Sequence, residues 1–437
     1  MFELTVREKK QLDKNKKLWN YYNDDFVTDY GRKVVQLPMG RTLENTLVYD
    51  NWISKTVNRY ASASIGQYAS LEVADEDIQA MVSNWHVNID FESKMTSLAR
   101  YQGLYGYAVV KIIYNLDRDE DGAVIVDGKS AEDILSSINI AVFGGKDSLI
   151  RYDEYGNVDS ILILLGDRLE AFYKDRLEIY ESKNGNFKLV STQPNTTGAP
   201  LAFVVKNLET GINTNSDVGG IITLQESLND ALTSLRLANH YHGFPIYTAT
   251  GVEARYDDAG NAIPLVVGAG MTLQSPSTDA EFGRIEVPSI EPLKASVEAI
   301  TKEIAVSTNS LSLLTGQIPS GTALGYMLTD FNSAVEEKQT KLRNFMLKLH
   351  KSIFSILDLI MGTSYAALEM KAYVSGYNPL QKELRFSQSK ELYALGAISK
   401  RTLLDNAEVI DNTEDELQRL QEEAVAGDTS PLSLLRG

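Results

Sequence analysis

The run DRDEDG at residues 117 to 122 places Asp117, Asp119, Asp121 and Gly122 in the order that opens an EF-hand loop, alternating oxygen ligands followed by a glycine at a sharp turn. The twelfth position is Gly128, where that loop needs a bidentate glutamate, and strand-like runs flank it, so an acidic hairpin loop is the better reading. GGKDS at 144 to 148 has neither the spacing of a phosphate-cradling P-loop nor a hydroxyl directly after the lysine. His240 and His242 stand two apart in a helical pattern and point to different sides, which suits a helix surface better than a metal site. Asp257 and Asp258, a carboxylate pair that could share acid and base roles, sit in a turn-like DDAGN, and turn chemistry accounts for them. GxGxxG, GxSxG and HExxH are absent. The expectation is a protein without catalytic residues, metal or cofactor.

The totals narrow the class further. No cysteine occurs, which removes disulfides, thiolate metal sites and a cysteine nucleophile, and suits an intracellular protein. At 437 residues, 43% hydrophobic and 23% charged, the chain is expected to fold into two to four packed units. The N-terminus has no apolar run of signal-peptide length, and no stretch approaches a membrane span, so a soluble protein is expected. The formal net charge of −17 opposes tight binding to nucleic acid, which relies on neutralised phosphates.

Periodicity supplies the elements. The first 25 residues read as a charged helical arm whose basic cluster (Arg7, Lys9, Lys10, Lys14, Lys16, Lys17) suits a solvated face. Leu47, Trp52, Ile53, Val57 and Tyr60 predict a helix over about 44 to 62, and a second is predicted over about 89 to 104. Between Tyr107 and Phe203 the runs YAVVKIIY, INIAVF, SILILL, RLEIYES, FKLVST and LAFVV predict antiparallel strands, with turns at Tyr155-Gly156-Asn157 and Asn184-Gly185. A helix capped by Ser216 and Asp217 follows, with Leu224, Leu228, Leu235 and Ala238 on one side. After Gly243 and Pro245 come short strand-like runs to about 288, then a helix with Pro292 in its first turn and Leu293, Val297, Ile300 and Ile304 along one side. From Leu328 to Met361 apolar residues recur in steps of mostly three, four or seven, a helix on the order of 50 Å long. A strand around 367 to 374 and shorter helices close the chain, the last opened by the capping-box pattern Thr413-x-x-Glu416.

Between two of these helices lies GQIPSGTALGYML, residues 316 to 328. Connectors are normally short and polar; this one is punctuated by Gly316, Pro319, Gly321 and Gly325 yet adjoins Leu313, Leu314 and Ile318.

The order of parts, with four motifs, resembles the portal proteins of tailed bacteriophages, the head-to-tail connectors of the SPP1-like family, over about Glu44 to Glu423. The motifs are GAPLAFVVKNLETGINTNSDVGGIITLQESLNDALTSL, PSGTALGYMLTDFNSAVEEKQTKLRNFM, LGAISKRTLLDN and DNTEDELQRLQEEA. The resemblance implies an α+β portal fold: an N-terminal arm (1–43), a helix and β wing (44–215), a first stem helix (216–242), a small β clip (243–290) and a second stem helix (291–310). A tunnel loop (311–324), a long helix crossing the wing with a returning wing strand (325–379) and a helical C-terminal crown (380–437) complete it. It also implies a ring, usually of twelve subunits, at one capsid vertex of the virion, assembled in the host cytoplasm, through which double-stranded DNA is packaged and ejected. The implied partners are the terminase large subunit, the major capsid or scaffolding protein and a head-completion adaptor, with no membrane and no enzymatic activity of its own.

On that resemblance the tunnel loop comprises Leu311, Leu313, Leu314, Thr315, Gly316, Gln317, Ile318, Pro319, Ser320 and Gly321, with apolar side chains facing neighbouring loops or DNA without gripping phosphate. The clip surface for motor and adaptor takes in Arg255, Tyr256, Asp257, Asp258, Met271, Phe282 and Arg284. Lys338, Lys341, Lys348 and Lys351, three, seven and three residues apart, are expected near one another on one polar side of the long helix, as phosphate contacts in a channel or as partners of Glu336, Glu337 or a neighbour's carboxylates. Two other classes compete with this reading, a different ring-forming adaptor of a virus head and an enzyme whose site forms only between subunits.

Overall fold

The computed structural model describes residues 2–25, 47–66, 68–114, 128–183, 186–210, 213–243, 247–250, 255, 256, 259, 262, 263, 279, 281–284, 289–310, 328–376, 379–407 and 416–420. Its helices are α1 (Val6–Tyr22), α2 (Trp52–Ile65), α3 (Glu76–Asn88), α4 (Phe91–Tyr105), α5 (Ala131–Ser136), α6 (Ile222–Gly243), α7 (Glu291–Ser307), α8 (Thr329–Met361), α9 (Pro379–Ala394) and α10 (Lys400–Ala407). Its strands are β1 (Tyr68–Val73), β2 (Tyr107–Tyr114), β3 (Ile138–Gly144), β4 (Ser148–Tyr152), β5 (Val158–Leu165), β6 (Arg168–Phe172), β7 (Arg176–Lys183), β8 (Asn186–Pro194), β9 (Ala202–Lys206), β10 (Leu208–Thr210), β11 (Asn213–Asn215), β12 (Tyr247–Thr250), β13 (Arg255–Tyr256), β14 (Ala262–Ile263), β15 (Glu281–Arg284) and β16 (Met370–Ser375). The chain divides into two compact units, one of Met1–Glu3, Asn58–Asn215 and Thr315–Gly437, the other of Leu4–Val57 and Ser216–Leu314.

The larger unit is built around β2. Its eight residues are almost uninterrupted apolar because both faces are covered. Ala108, Val110 and Ile112 point into a core shared with α3, α4 and α8, while Tyr107 and Val109 pack against Ile161, Ile163 and Phe172. Strand order β3-β2-β9 makes one antiparallel sheet, and β4 to β8 form a five-stranded antiparallel meander beside it. A one-residue slip of β2 would exchange its two faces, so the register Val110↔Val142 and Val110↔Phe203 is strongly specified.

The 33 residues of α8 span about 50 Å. Leu342, Phe345, Met346, Leu349, Ile353, Phe354, Ile356 and Leu357 lie buried along one side, each contributing about 1.5–3 kcal/mol on leaving water. A separate apolar cluster holds its first turns, where Leu328, Phe331 and Val335 meet Tyr60 and Ala63. At its other end Gly362 takes a left-handed φ of 69°, and Asp358 accepts from Thr363 Oγ1 at 2.7 Å, Tyr365 N at 2.6 Å and Ala366 N at 2.9 Å, turning the chain into β16. β16 pairs antiparallel with β1.

In the smaller unit α1 opens with a capping box: Glu8 N donates to Thr5 Oγ1 and Thr5 N to Glu8 Oε2. The buried side of α6 is largely polar, with Gln225, Asn229 and Thr233 beside Leu228. Gln225 accepts from Trp52 N at 2.9 Å and donates to Asp50 O and Asn229 Oδ1; Thr233 Oγ1 exchanges hydrogen bonds with the Val48 backbone. Beyond α6, β12 pairs with β15 and β13 with β14, nested hairpins that lead into α7.

Several sequence expectations shift. The helix expected from residue 44 begins at Trp52, because Asn51 Oδ1 accepts from Ser54 N and caps it there, while residues 47–50 run without helical structure. The helix expected directly after Ser216 begins at Ile222, since Ser216 Oγ accepts from Val218 N in a preceding turn. Of the expected apolar side of α6, Leu228 is buried while Leu224, Leu235 and Ala238 are half-buried. β1, α3, β4 and β6 are found where no element was expected; α3 carried the signals of an N-cap at Asp75 and an apolar spacing of Ile78, Met81, Val82 and Trp85. The expected run MTLQS at 271 to 275 lies outside the described residues.

Candidate functional site

Of the residues singled out for chemistry, those of the acidic run 117 to 122 lie outside the described residues, as do Asp257 and Asp258. GGKDS is the tight turn from β3 to β4, closed by Ser148 Oγ donating to Gly144 O at 2.9 Å. His240 and His242 fall within α6, in the stretch whose side chains are not described. Among the described residues no group of three or more His, Asp or Glu is placed to hold a metal ion, and no helix is long and apolar enough to cross a membrane.

Leu311, Leu313, Leu314, Thr315, Gly316, Gln317, Ile318, Pro319, Ser320 and Gly321 lie outside the described residues, but their flanks are built to be fixed. On the near side α7 ends with Thr308 Oγ1 donating to Ile304 O at 2.8 Å and Ser310 N to Ala305 O at 2.6 Å, with Asn309 left-handed at φ 53°. Thr308 and Ser310 are both buried. On the far side Leu328 is buried and α8 starts at once. Each end of the connector thus emerges from an anchored turn.

The four lysines of α8 do not share one environment. Lys338 is 2% exposed, its ammonium donating to Asn207 Oδ1 and lying 4.9 Å from the centre of the Tyr60 ring. Lys341, half-buried, donates to the Asn207 carbonyl and pairs with Glu337 at 2.9 Å. Lys348 and Lys351 are exposed. Lys338 therefore leaves the polar side on which its spacing from the others had placed it: it lies seven residues from both Phe331 and Phe345, and so on the buried stripe.

Asn207, which no sequence motif marked, is the hub of this contact. It is fully buried between β9 and β10, its N–H donating to Gly106 O at 2.8 Å and its Nδ2 to Asn215 O at 2.9 Å. Gly106 has φ 86°, and a Cβ there would press on the Thr214 and Asn215 backbone, so only glycine lets the end of α4 come this close. Two cations from α8 thus close on one asparagine that already ties three strands and a helix end together. The arrangement can hold the helix in register; it offers no nucleophile and no acid–base pair.

Of the clip residues, Arg255 and Tyr256 form β13 opposite Ile263 and Ala262, and Tyr256 is 64% exposed. Phe282 and Arg284 lie on β15, opposite Ala249 and Tyr247. Met271 lies outside the described residues.

A model of the family described as phage portal protein, SPP1 Gp6-like, matches residues 3–428. No curated protein matches the chain. Among solved structures, a chain of the virion of the native gene transfer agent particle is 10% identical, with 86% of this chain and 96% of that one covered at a TM-score of 0.46. A chain of the neck of the native particle, computed with C12 symmetry, is 11% identical over 80% of this chain and 88% of that one, at a TM-score of 0.44. A chain of the neck of the empty particle, computed with C6 symmetry, is 10% identical over 82% and 90%, at a TM-score of 0.40.

Proposed function

Because the chain belongs to the SPP1 Gp6-like family of phage portal proteins, we propose that it is the subunit of a homo-oligomeric ring, of twelve copies, through which double-stranded DNA is packaged and ejected. Its place is the portal vertex of the virion. The observation that carries the reading is that the family match runs through every element described, with α6, nested hairpins, α7 and the long α8 in succession. On this reading α6 and α7 are the stem and the hairpins between them the clip, where Tyr256 offers an exposed aromatic to the terminase motor and the head-completion adaptor. The 311–324 connector is the tunnel loop, apolar enough to touch DNA without holding phosphates.

Charge supports a conduit over a grip. Twelve copies would carry about −204, a field that lowers the affinity of DNA for the ring as a whole. Lys348 and Lys351 are the exposed cations of the original four and are the phosphate contacts proposed for the channel; Lys338 is spent on Asn207.

Native mass spectrometry of the purified protein, with averaged electron micrographs of top views, tests the ring. The expected result is a closed assembly of about twelve to thirteen copies with a central hole wide enough for duplex DNA. A stable monomer or dimer across salts and concentrations would overturn it. Deletion of residues 246–288 should leave that ring intact and abolish motor binding; motor binding that survives the deletion would move the docking site elsewhere and favour a different head adaptor.

A further inference from the structure

His86, in the last turn of α3, and His350, in the middle of α8, meet Nε2 to Nε2 at 2.8 Å within the larger unit. His350 is 1% exposed, and half-buried His86 lies flat on Phe91, their ring centres 4.1 Å apart and planes 5° from parallel. Trp85 and Phe91 meet His350 edge-on at 5.7 Å, so aromatic rings wall the pair. On its other side His350 Nδ1 is 2.8 Å from the Met346 carbonyl.

These contacts assign the protons. A carbonyl only accepts, so His350 Nδ1 carries a hydrogen; its neutral Nε2 then presents a lone pair, and His86 Nε2 must donate to it. With both rings neutral every contact is satisfied. A further proton is opposed by burial: on either ring it makes an imidazolium walled by aromatic side chains, and a second one sets two N–H groups face to face at 2.8 Å.

We propose that the His86–His350 pair is an acid-operated latch between α3 and α8, fastened while both imidazoles are neutral and released when the pair takes up a further proton. This rests on packing inside one unit and stands apart from the channel reading. The charged groups on the surrounding elements are Glu76 and Asp77 of α3, Asp90 at the start of α4 with Glu92, Lys94 and Arg100 along it, Glu132 and Asp133 of α5, and Arg343, Lys348, Lys351 and Asp358 of α8. All but half-buried Lys94 and Asp358 are exposed; Lys94 is turned to Asn139 and Asp358 to the α8 terminus, so none of them neutralises a charge on the pair.

The titration of the pair agrees with this geometry. Burial lowers His86 to about 3, with His350 adding repulsion, and burial lowers His350 to about 4, partly offset by its bond to the Met346 carbonyl. Both folded values lie below the unfolded value near 6.5. The stability held in the neutral pair is therefore fully present above about pH 6.5 and is lost as pH falls from there toward the folded values.

Deuteration of the imidazole C2 carbon, read residue by residue by mass spectrometry on the intact assembled protein between pH 8 and 4, tests this without any substitution. His86 and His350 should both titrate well below 6.5. Backbone exchange of 76–88 and 342–357, corrected for intrinsic rates, should rise at least tenfold over the same window while the β4 to β8 meander stays protected. His86→Gln keeps a neutral donor toward His350 and should flatten that rise, as should the double variant His86→Phe with His350→Leu. Ordinary titration of both rings near 6.5, or an unchanged exchange profile in His86→Gln, would overturn the latch.

Discussion

Four lysines of one type, on one helix, have three different fates, decided by where the helix turns them. Lys338 ends in the core on Asn207 and Tyr60, Lys341 on the rim between Asn207 and Glu337, and Lys348 and Lys351 in solvent. A buried ammonium is tolerated only when its donors are used, and its removal strands the acceptor it served. Lys338→Met is therefore predicted to lower stability by about 1–3 kcal/mol, the cost of removing the charged donor from which the buried Asn207 Oδ1 accepts. Lys348→Gln with Lys351→Gln should leave the melting temperature unchanged, since surface changes of this kind are usually small. Thermal unfolding of the three proteins side by side checks this; equal melting points for Lys338→Met and the parent would remove Lys338 from the anchor. The sequence showed the lysines and their spacing, but Asn207 is chemically ordinary and became a hub only because β9, α4 and α8 converge on it.

Elements here depend on termini more than on propensity. The chain leaves α8 through Asp358, whose carboxylate takes three hydrogen bonds from the following turn and aims the chain into β16. Asp358→Ala should cost about 1–3 kcal/mol and raise amide exchange in 362–375, including β16, ahead of the rest of the unit. Unchanged protection of β16 would show that its pairing with β1 alone holds the turn. Strong β runs such as YAVVKIIY and SILILL were legible because apolar continuity is itself the signal of a strand covered on both faces. β4 and β6, only five residues each, were not: five residues are too short a run for a period to stand out, although each pairs with strands next to it in sequence.

For the whole molecule the decisive quantity is charge. A chain at −17 that is proposed to conduct DNA should bind it weakly, through few phosphates. Retention of duplex DNA by the purified assembly is predicted to vanish at physiological salt, with a shallow dependence of affinity on salt below it. Tight retention, or a steep slope indicating many neutralised phosphates, would point to a basic surface formed on assembly and against a passive channel. The structure adds that stacking of elements within each unit leaves the exposed lysines of α8 few, so any such slope should fall further in Lys348→Gln with Lys351→Gln.

The amino-acid sequence by itself determined the class of the molecule: acidic, cysteine-free, α+β, with strand-rich residues after 107 and one helix far longer than its neighbours. Composition and period-two or period-3.6 patterns are local properties, so they survive without knowledge of the fold. The order of parts and four degenerate motifs also carried the family, because such order is written along the chain. Tertiary structure alone decided that Lys338 is buried, that Gln225, Asn229 and Thr233 line the inner side of α6, and that His86 and His350, 264 positions apart, share one proton between them. Those facts depend on which surfaces meet, because most buried polar groups find a hydrogen-bond partner and that partner often comes from a distant segment.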